Sequence, residues 1–208
     1  MNNFMDSVIE DEEGMNVGNI EIDSFGAADS YSQGEAVWIE GSECLWVPAT
    51  VIRQENFKII VLDSSTGLEK EIDMEFSDVH KQSEKIVPDL ALLSHINEPS
   101  ILNNLRIRSL PPIHSPYTWA GNVLICLNPL NSTEKKHVKE FENQPFDQGN
   151  PHPYTMAEFA FQRMRQENQS IILAGESGSG KTEVSSKIVR FLTSRGRKEG
   201  YNNEIKVM

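Results

Sequence analysis

Residues 175–182 read GESGSGKT and fit the pattern G-x-x-x-x-G-K-[ST] of the phosphate-binding P-loop. The chemistry of such a segment lies mostly in its backbone. Gly175, Gly178 and Gly180 let consecutive amide N–H groups turn inward and let main chain approach an anion with no Cβ in the way. Glu176, Ser177 and Ser179 complete the curl, and Lys181 is expected to reach the β- and γ-phosphates and stabilise their charge. The Thr182 hydroxyl is the expected ligand of Mg²⁺, with Glu183 beside it in the first helical turn.

A loop of this kind needs a strand before it and a helix after it. The apolar run 171–174 has the length of a buried parallel strand, and Val184, Ile188 and Leu192 recur at four-residue intervals, as one face of a helix requires. The helix N-terminus would add its unpaired donors and the positive end of its dipole. A dinucleotide loop is excluded by spacing, because the third glycine of G-x-G-x-x-G would fall at Glu183.

Three stretches, in order, resemble the myosin motor domain: LSHINEPSILNNL at 93–105, YTWAG at 117–121 leading through Val123, Leu124 and Ile125 to Asn128-Pro129, and ENQSI at 167–171 followed by GESGSGKTE at 175–183. The resemblance covers roughly residues 86–195. It implies an α/β P-loop NTPase fold, here the beginning of a motor domain, with ATP and Mg²⁺ as cofactors and Asn128, Pro129 and Glu183 near the nucleotide. Actin filaments are the implied partner, through parts of the motor beyond Met208, and light chains are a further partner type. The implied setting is cytoplasmic and cytoskeletal. Two switch segments that such motors use for hydrolysis would lie past Met208, so the chain is expected to be a fragment or truncated product, inactive as an ATPase by itself.

The chain also departs from that pattern. A proline and a tyrosine usually follow the Asn-Pro pair near the adenine, and Glu134 and Lys136 stand at those places. After the P-loop threonine the family commonly has Glu-Asn-Thr-Lys, whereas this chain has Glu183-Val184-Ser185-Ser186 and then Lys187. The phosphate side is expected to be intact and the base side altered.

The net charge of −12 is concentrated at one end. Eleven of the 31 acidic residues precede Arg53, the first basic residue, which leaves 20 acids against 19 bases. Residues 1–32 therefore read as an acidic disordered extension. Residues 33–81 carry short β-rich runs at 36–40, 46–53, 57–63 and 68–73 separated by turn signals, the spacing of a small antiparallel barrel. This part resembles the SH3-like module before many myosin motors, with Trp38 and Trp46 expected in its core. Residues 82–208 are the expected motor portion, in which only 123–127 and 171–174 suit an open parallel sheet, so that portion is expected to be unstable or aggregation-prone.

Between barrel and P-loop the pattern is mainly helical. Glu98-Pro99 opens a helix with Ile101, Leu102 and Leu105 facing the sheet. A second helix is expected over 154–167 with Met156, Phe159, Ala160 and Met164 as its core stripe, a surface helix and loop over 131–149, and the start of a surface loop over 195–208. Cys44 and Cys126 occur singly, which suits reduced core thiols, and the five histidines have no zinc spacing. No secretory signal, membrane span or nucleic-acid patch is apparent. Two other readings are a non-motor P-loop NTPase, which would need an acceptor pocket of its own, and a short product acting as an interaction module through the barrel.

Overall fold

The computed structural model describes residues 30–41, 46–128, 137–146 and 150–199. Strands β1 (Ala36–Glu40), β2 (Trp46–Glu55), β3 (Lys58–Asp63), β4 (Glu69–Asp73) and β5 (Val79–Lys81) form one antiparallel sheet in the order β4-β3-β2-β1-β5. Alternation decides its two faces. Val37, Ile39, Ala49, Val51, Ile59 and Val61 point inward to a common core closed by Tyr31 and Val79. Each fully buried Val or Ile there contributes about 1.5–3 kcal/mol relative to exposure. The four β-runs expected from sequence are all present, and the short β5 closes the other edge.

Trp38 alternates out of that core and is buried on the opposite face, where its Nε1 donates to Ser100 Oγ at 3.3 Å. Trp46, half-buried, meets the His80 ring edge-on at 4.9 Å. The expectation that both tryptophans fill the core of the sheet is therefore corrected. Trp38 joins the sheet to the helix behind it because alternation gives Val37 and Ile39 the inward positions.

That helix, α1 (Glu98–Ser109), starts where Asn97 caps it: the side chain accepts from Ser100 N at 3.0 Å and donates to Lys81 O at 2.9 Å. A cap of this type is worth about 1 kcal/mol. The expected apolar face is only partly buried: Ile101 packs on the cluster of Val87, Leu90 and Leu93, and Leu105 is half-buried. Leu102 is 48% exposed, whereas Ser100, Asn104 and Arg108, spaced by four, are buried. Asn104 accepts from Val87 N and donates to Val87 O, and Arg108 donates to Thr118 Oγ1 and Tyr117 O. The polar stripe wins because each of its groups finds a partner on the neighbouring chain.

Strands β6 (Tyr117–Ala120) and β7 (Val123–Cys126) form an antiparallel pair. The run 123–127 was expected in a parallel sheet, and it pairs instead with its sequence neighbour across the Gly121 turn. Asp89, buried, accepts from Ala91 N and Gly121 N and so ties this turn to a 3₁₀ turn at Leu90–Leu92. Helix α2 (Pro153–Arg163) packs on α3 (Lys181–Glu199). The buried side of α2 includes Tyr154, Ala157, Glu158, Ala160 and Phe161; of the expected stripe Ala160 is buried, and Met156, Phe159 and Met164 are only half-buried. Residues 195–199 continue α3 rather than opening a surface loop, with Arg195 buried.

Candidate functional site

The segment entering the P-loop is not a strand. Residues 171–174 find no strand partner among the described residues, Ile172 is 87% exposed, and only Ile171 packs inward, against the α2–α3 core. A strand is made by its neighbours, and none of the described strands pairs with this run.

The loop itself is a tight curl. Gly175, Gly178 and Gly180 have φ of 151°, 78° and 93°, conformations that L side chains rarely adopt. Crowding adds to this at Gly175, where a Cβ would stand 2.7 Å from Ser179 Oγ. Ser179 N donates to Glu176 O at 3.2 Å, which closes the curl. Lys181 begins α3, and its Nζ donates across the loop to Gly175 O at 2.7 Å and Glu176 O at 2.6 Å. Glu176, Ser177, Thr182 and Glu183 are exposed, the last two on the first turn of α3. Asn128, from the exit of β7, donates through Nδ2 to Gly178 O at 3.0 Å. Asn128 is thereby brought to the loop, while Pro129, Glu134 and Lys136 lie outside the described residues, as does Cys44.

A cavity of about 930 Å³ opens beside the loop, lined by Ser179, Gly180, Glu183 and Lys187 on one side and Tyr117 and Cys126 on the other. Lys187 Nζ donates to Tyr117 Oη at 3.1 Å, pairs with Glu183 at 3.4 Å and lies 5.8 Å from the Tyr117 ring centre. Burial pulls the Lys187 ammonium down, but the Tyr117 hydroxyl and the Glu183 carboxylate outweigh it and leave its pKa raised. Lys187 is thus a fixed cation of the cleft. Burial pushes the Cys126 thiol up to about 11. The cleft wall is aromatic: His152 caps α2 through Nδ1, stacks on Phe141 at 4.7 Å and meets Tyr117 and Tyr154 edge-on.

Behind the loop, α3 is anchored by charge. Arg195 Nε donates to Glu158 Oε2 at 2.8 Å and its Nη2 to Glu158 Oε1 at 3.2 Å and Asn143 Oδ1 at 2.9 Å; both side chains of the ion pair are almost fully buried. Gln162 Nε2 and Asn143 N also donate to Glu158 Oε1. Sequence reasoning missed Lys187, Tyr117, His152 and this pair. Lys187 had a visible signal, since it sits one turn after Glu183 on the same helix face. The Glu158–Arg195 partnership spans 37 residues and had none.

A glycine loop thus lies over the start of α3, with Lys181 bonded back across it and a cleft alongside. Residues 87–207 match the family model for the myosin head (motor domain), more than half of the chain, and the chain belongs to that family. Relatives include the myosin-J heavy chain of Dictyostelium discoideum, 33% identical over 80% of this chain and 8% of the relative. The myosin-H heavy chain of the same organism is 32% identical over 82% of this chain and 10% of the relative. Myosin-9 of Arabidopsis thaliana is 30% identical over 80% and 11%. The chain thus spans about a tenth of the length of the curated relatives it matches. Among the described residues no helix is long and apolar enough to cross a membrane, and no group of three His, Cys, Asp or Glu suits a metal ion.

Proposed function

We propose that this chain supplies the nucleotide-binding front of an actin-based motor and that its loop holds Mg·ATP. The observation that carries the reading is the curl of 175–180 over the start of α3, with positive φ at Gly175, Gly178 and Gly180 and with Lys181 bonded to two of its carbonyls. Gly178, Gly180 and Lys181 would hold the phosphates through amides and ammonium, and Thr182 would ligate Mg²⁺. The bound metal would neutralise charge on the phosphates. Asn128 bonds the loop at Gly178, and Lys187 and Tyr117 line the adjoining cleft, into which the nucleoside end would extend. With Glu134 and Lys136 in place of the family's proline and tyrosine, base selectivity for ATP over GTP is weaker than in relatives that keep those residues. Hydrolysis and movement on actin need the remainder of a motor, including both switch segments. The organisation proposed is an acidic extension over 1–32, an SH3-like barrel over 33–81 and the start of a motor with an α/β P-loop NTPase fold over 82–208, in a cytoplasmic, cytoskeletal setting.

Equilibrium binding of a fluorescent ATP analogue to the protein isolated from its source tests this. Lys181→Ala is expected to lower affinity at least a hundredfold while circular dichroism stays unchanged; retention of tight binding overturns the role of Lys181. Competition by GTP within tenfold of ATP supports the altered base side, and a strong ATP preference counts against it.

A further inference from the structure

The sheet carries a second surface, at the end where the β2–β3 turn meets the turn after β4. Phe57 is 51% exposed and Phe76 83% exposed, and the two turns are joined by the hydrogen bond from Met74 N to Phe57 O at 2.8 Å. Two exposed phenylalanines on turns joined by a backbone bond give this end of the sheet an apolar character. Acidic side chains outnumber basic ones here, seven to three over residues 53–78. Every basic side chain of these hairpins is engaged with a carboxylate: Arg53 with Glu55, Lys58 with Glu71, and Lys70 with Asp63. Among the described residues Glu75 and Asp78, on either side of Phe76, form no salt bridge, Asp73 lies opposite Lys58 in register, and the segment 71–78 contains no Lys or Arg.

We infer that this tip docks a basic amphipathic helix of a partner protein, with apolar side chains on the Phe57–Phe76 pair and Lys or Arg against Asp73, Glu75 and Asp78. The charge argues against the other occupants. A second copy of the chain would set these carboxylates against themselves, and an anionic lipid surface or a nucleic acid would be repelled. The acidic residues 1–32 of this chain would be repelled as well. This surface is distinct from the cleft, so failure of the nucleotide reading leaves it untouched.

The test uses the whole 208-residue chain and three labelled 18-residue peptides: a Leu/Trp/Lys amphipathic helix, its Lys→Glu twin, and a twin with the apolar face changed to Ser. Fluorescence anisotropy is expected to show binding of the first alone, weakened severalfold between 50 and 300 mM salt. Phe57→Ser with Phe76→Ser should cost at least tenfold, and both sites are exposed enough to leave the fold intact, which circular dichroism checks. Glu75→Lys with Asp78→Lys should shift preference toward the Glu twin. No binding of the basic peptide, equal binding of the Glu twin, or indifference to the Phe substitutions overturns the inference. So does a sedimenting dimer of the chain that the Phe substitutions dissolve.

Discussion

At the level of single residues, the glycine loop is the part most fully legible in the sequence, because its demands are local. Positive φ and the close Ser179 side chain favour glycine at Gly175, and the spacing to Lys181 follows from the curl. Gly175→Ala is expected to lower nucleotide affinity more than tenfold, and adding Ser179→Ala should recover only part of the loss. Removing the Ser179 hydroxyl relieves the 2.7 Å contact, whereas the φ of 151° stays unsuited to alanine. Titration with a fluorescent nucleotide separates the two terms. Cys126, with its thiol near 11, should be almost fully protonated at pH 7, so alkylation by iodoacetamide should be slow there and accelerate steadily up to about pH 11. A fast neutral reaction would contradict the burial assigned to it. Asp63 gives a pH prediction of its own. The Lys70 ammonium, the Ser65 hydroxyl and the Ser65 and Thr66 amides hold its carboxyl far below its ordinary 3.8. A depressed carboxylate stabilises the fold fully above its unfolded pKa and loses that contribution as pH falls through the folded one. Thermal melts should therefore fall below about pH 4, with an unfolded Asp near 3.9, and Asp63→Asn should flatten that limb while lowering the neutral melting temperature.

Elements were legible where one face had to be apolar and misleading where it was polar. The alternation in β1 to β3 predicts the sheet because inward and outward positions differ in kind. In α1 the same logic fails, since Ser100, Asn104 and Arg108 bury a polar stripe whose partners, Val87 and Tyr117–Thr118, are distant in sequence. The Glu158–Arg195 pair between α2 and α3 was hidden for the same reason. Glu158→Gln would leave Arg195 buried without its counter-charge and is expected to cost about 3–5 kcal/mol in urea unfolding. Replacing both residues with leucine should cost far less, because no charge is then left unpaired. Equal losses in the two variants would show that Arg195 is held well enough by its other partners, Asn143 and the Phe161 ring among them.

For the whole molecule, the missing information was pairing. Residues 171–174 have the composition of a strand, and composition cannot supply the neighbour that makes one. With Ile172 at 87% and Leu173 at 38% exposure, amides 171–174 should exchange with deuterium within seconds at neutral pH. Amides of β1 to β3 should be protected for hours. Slow exchange over 171–174 in this chain would mean that they form a ladder in solution. The family membership of residues 87–207 was readable from three ordered motifs, each tied to a local backbone or phosphate requirement. The joint between the sheet and α1 was not readable, because it depends on one indole turned away from the core.

That indole has a practical consequence. Of the chain's three tryptophans, Trp38 alone bonds through Nε1 to α1, the helix whose Arg108 grips the backbone of Tyr117 beneath Lys187. With Trp46 and Trp119 changed to phenylalanine, the near-ultraviolet emission of the remaining ring becomes an unlabelled gauge of that joint, reading from inside the molecule whether filling the cleft disturbs the far end of α1.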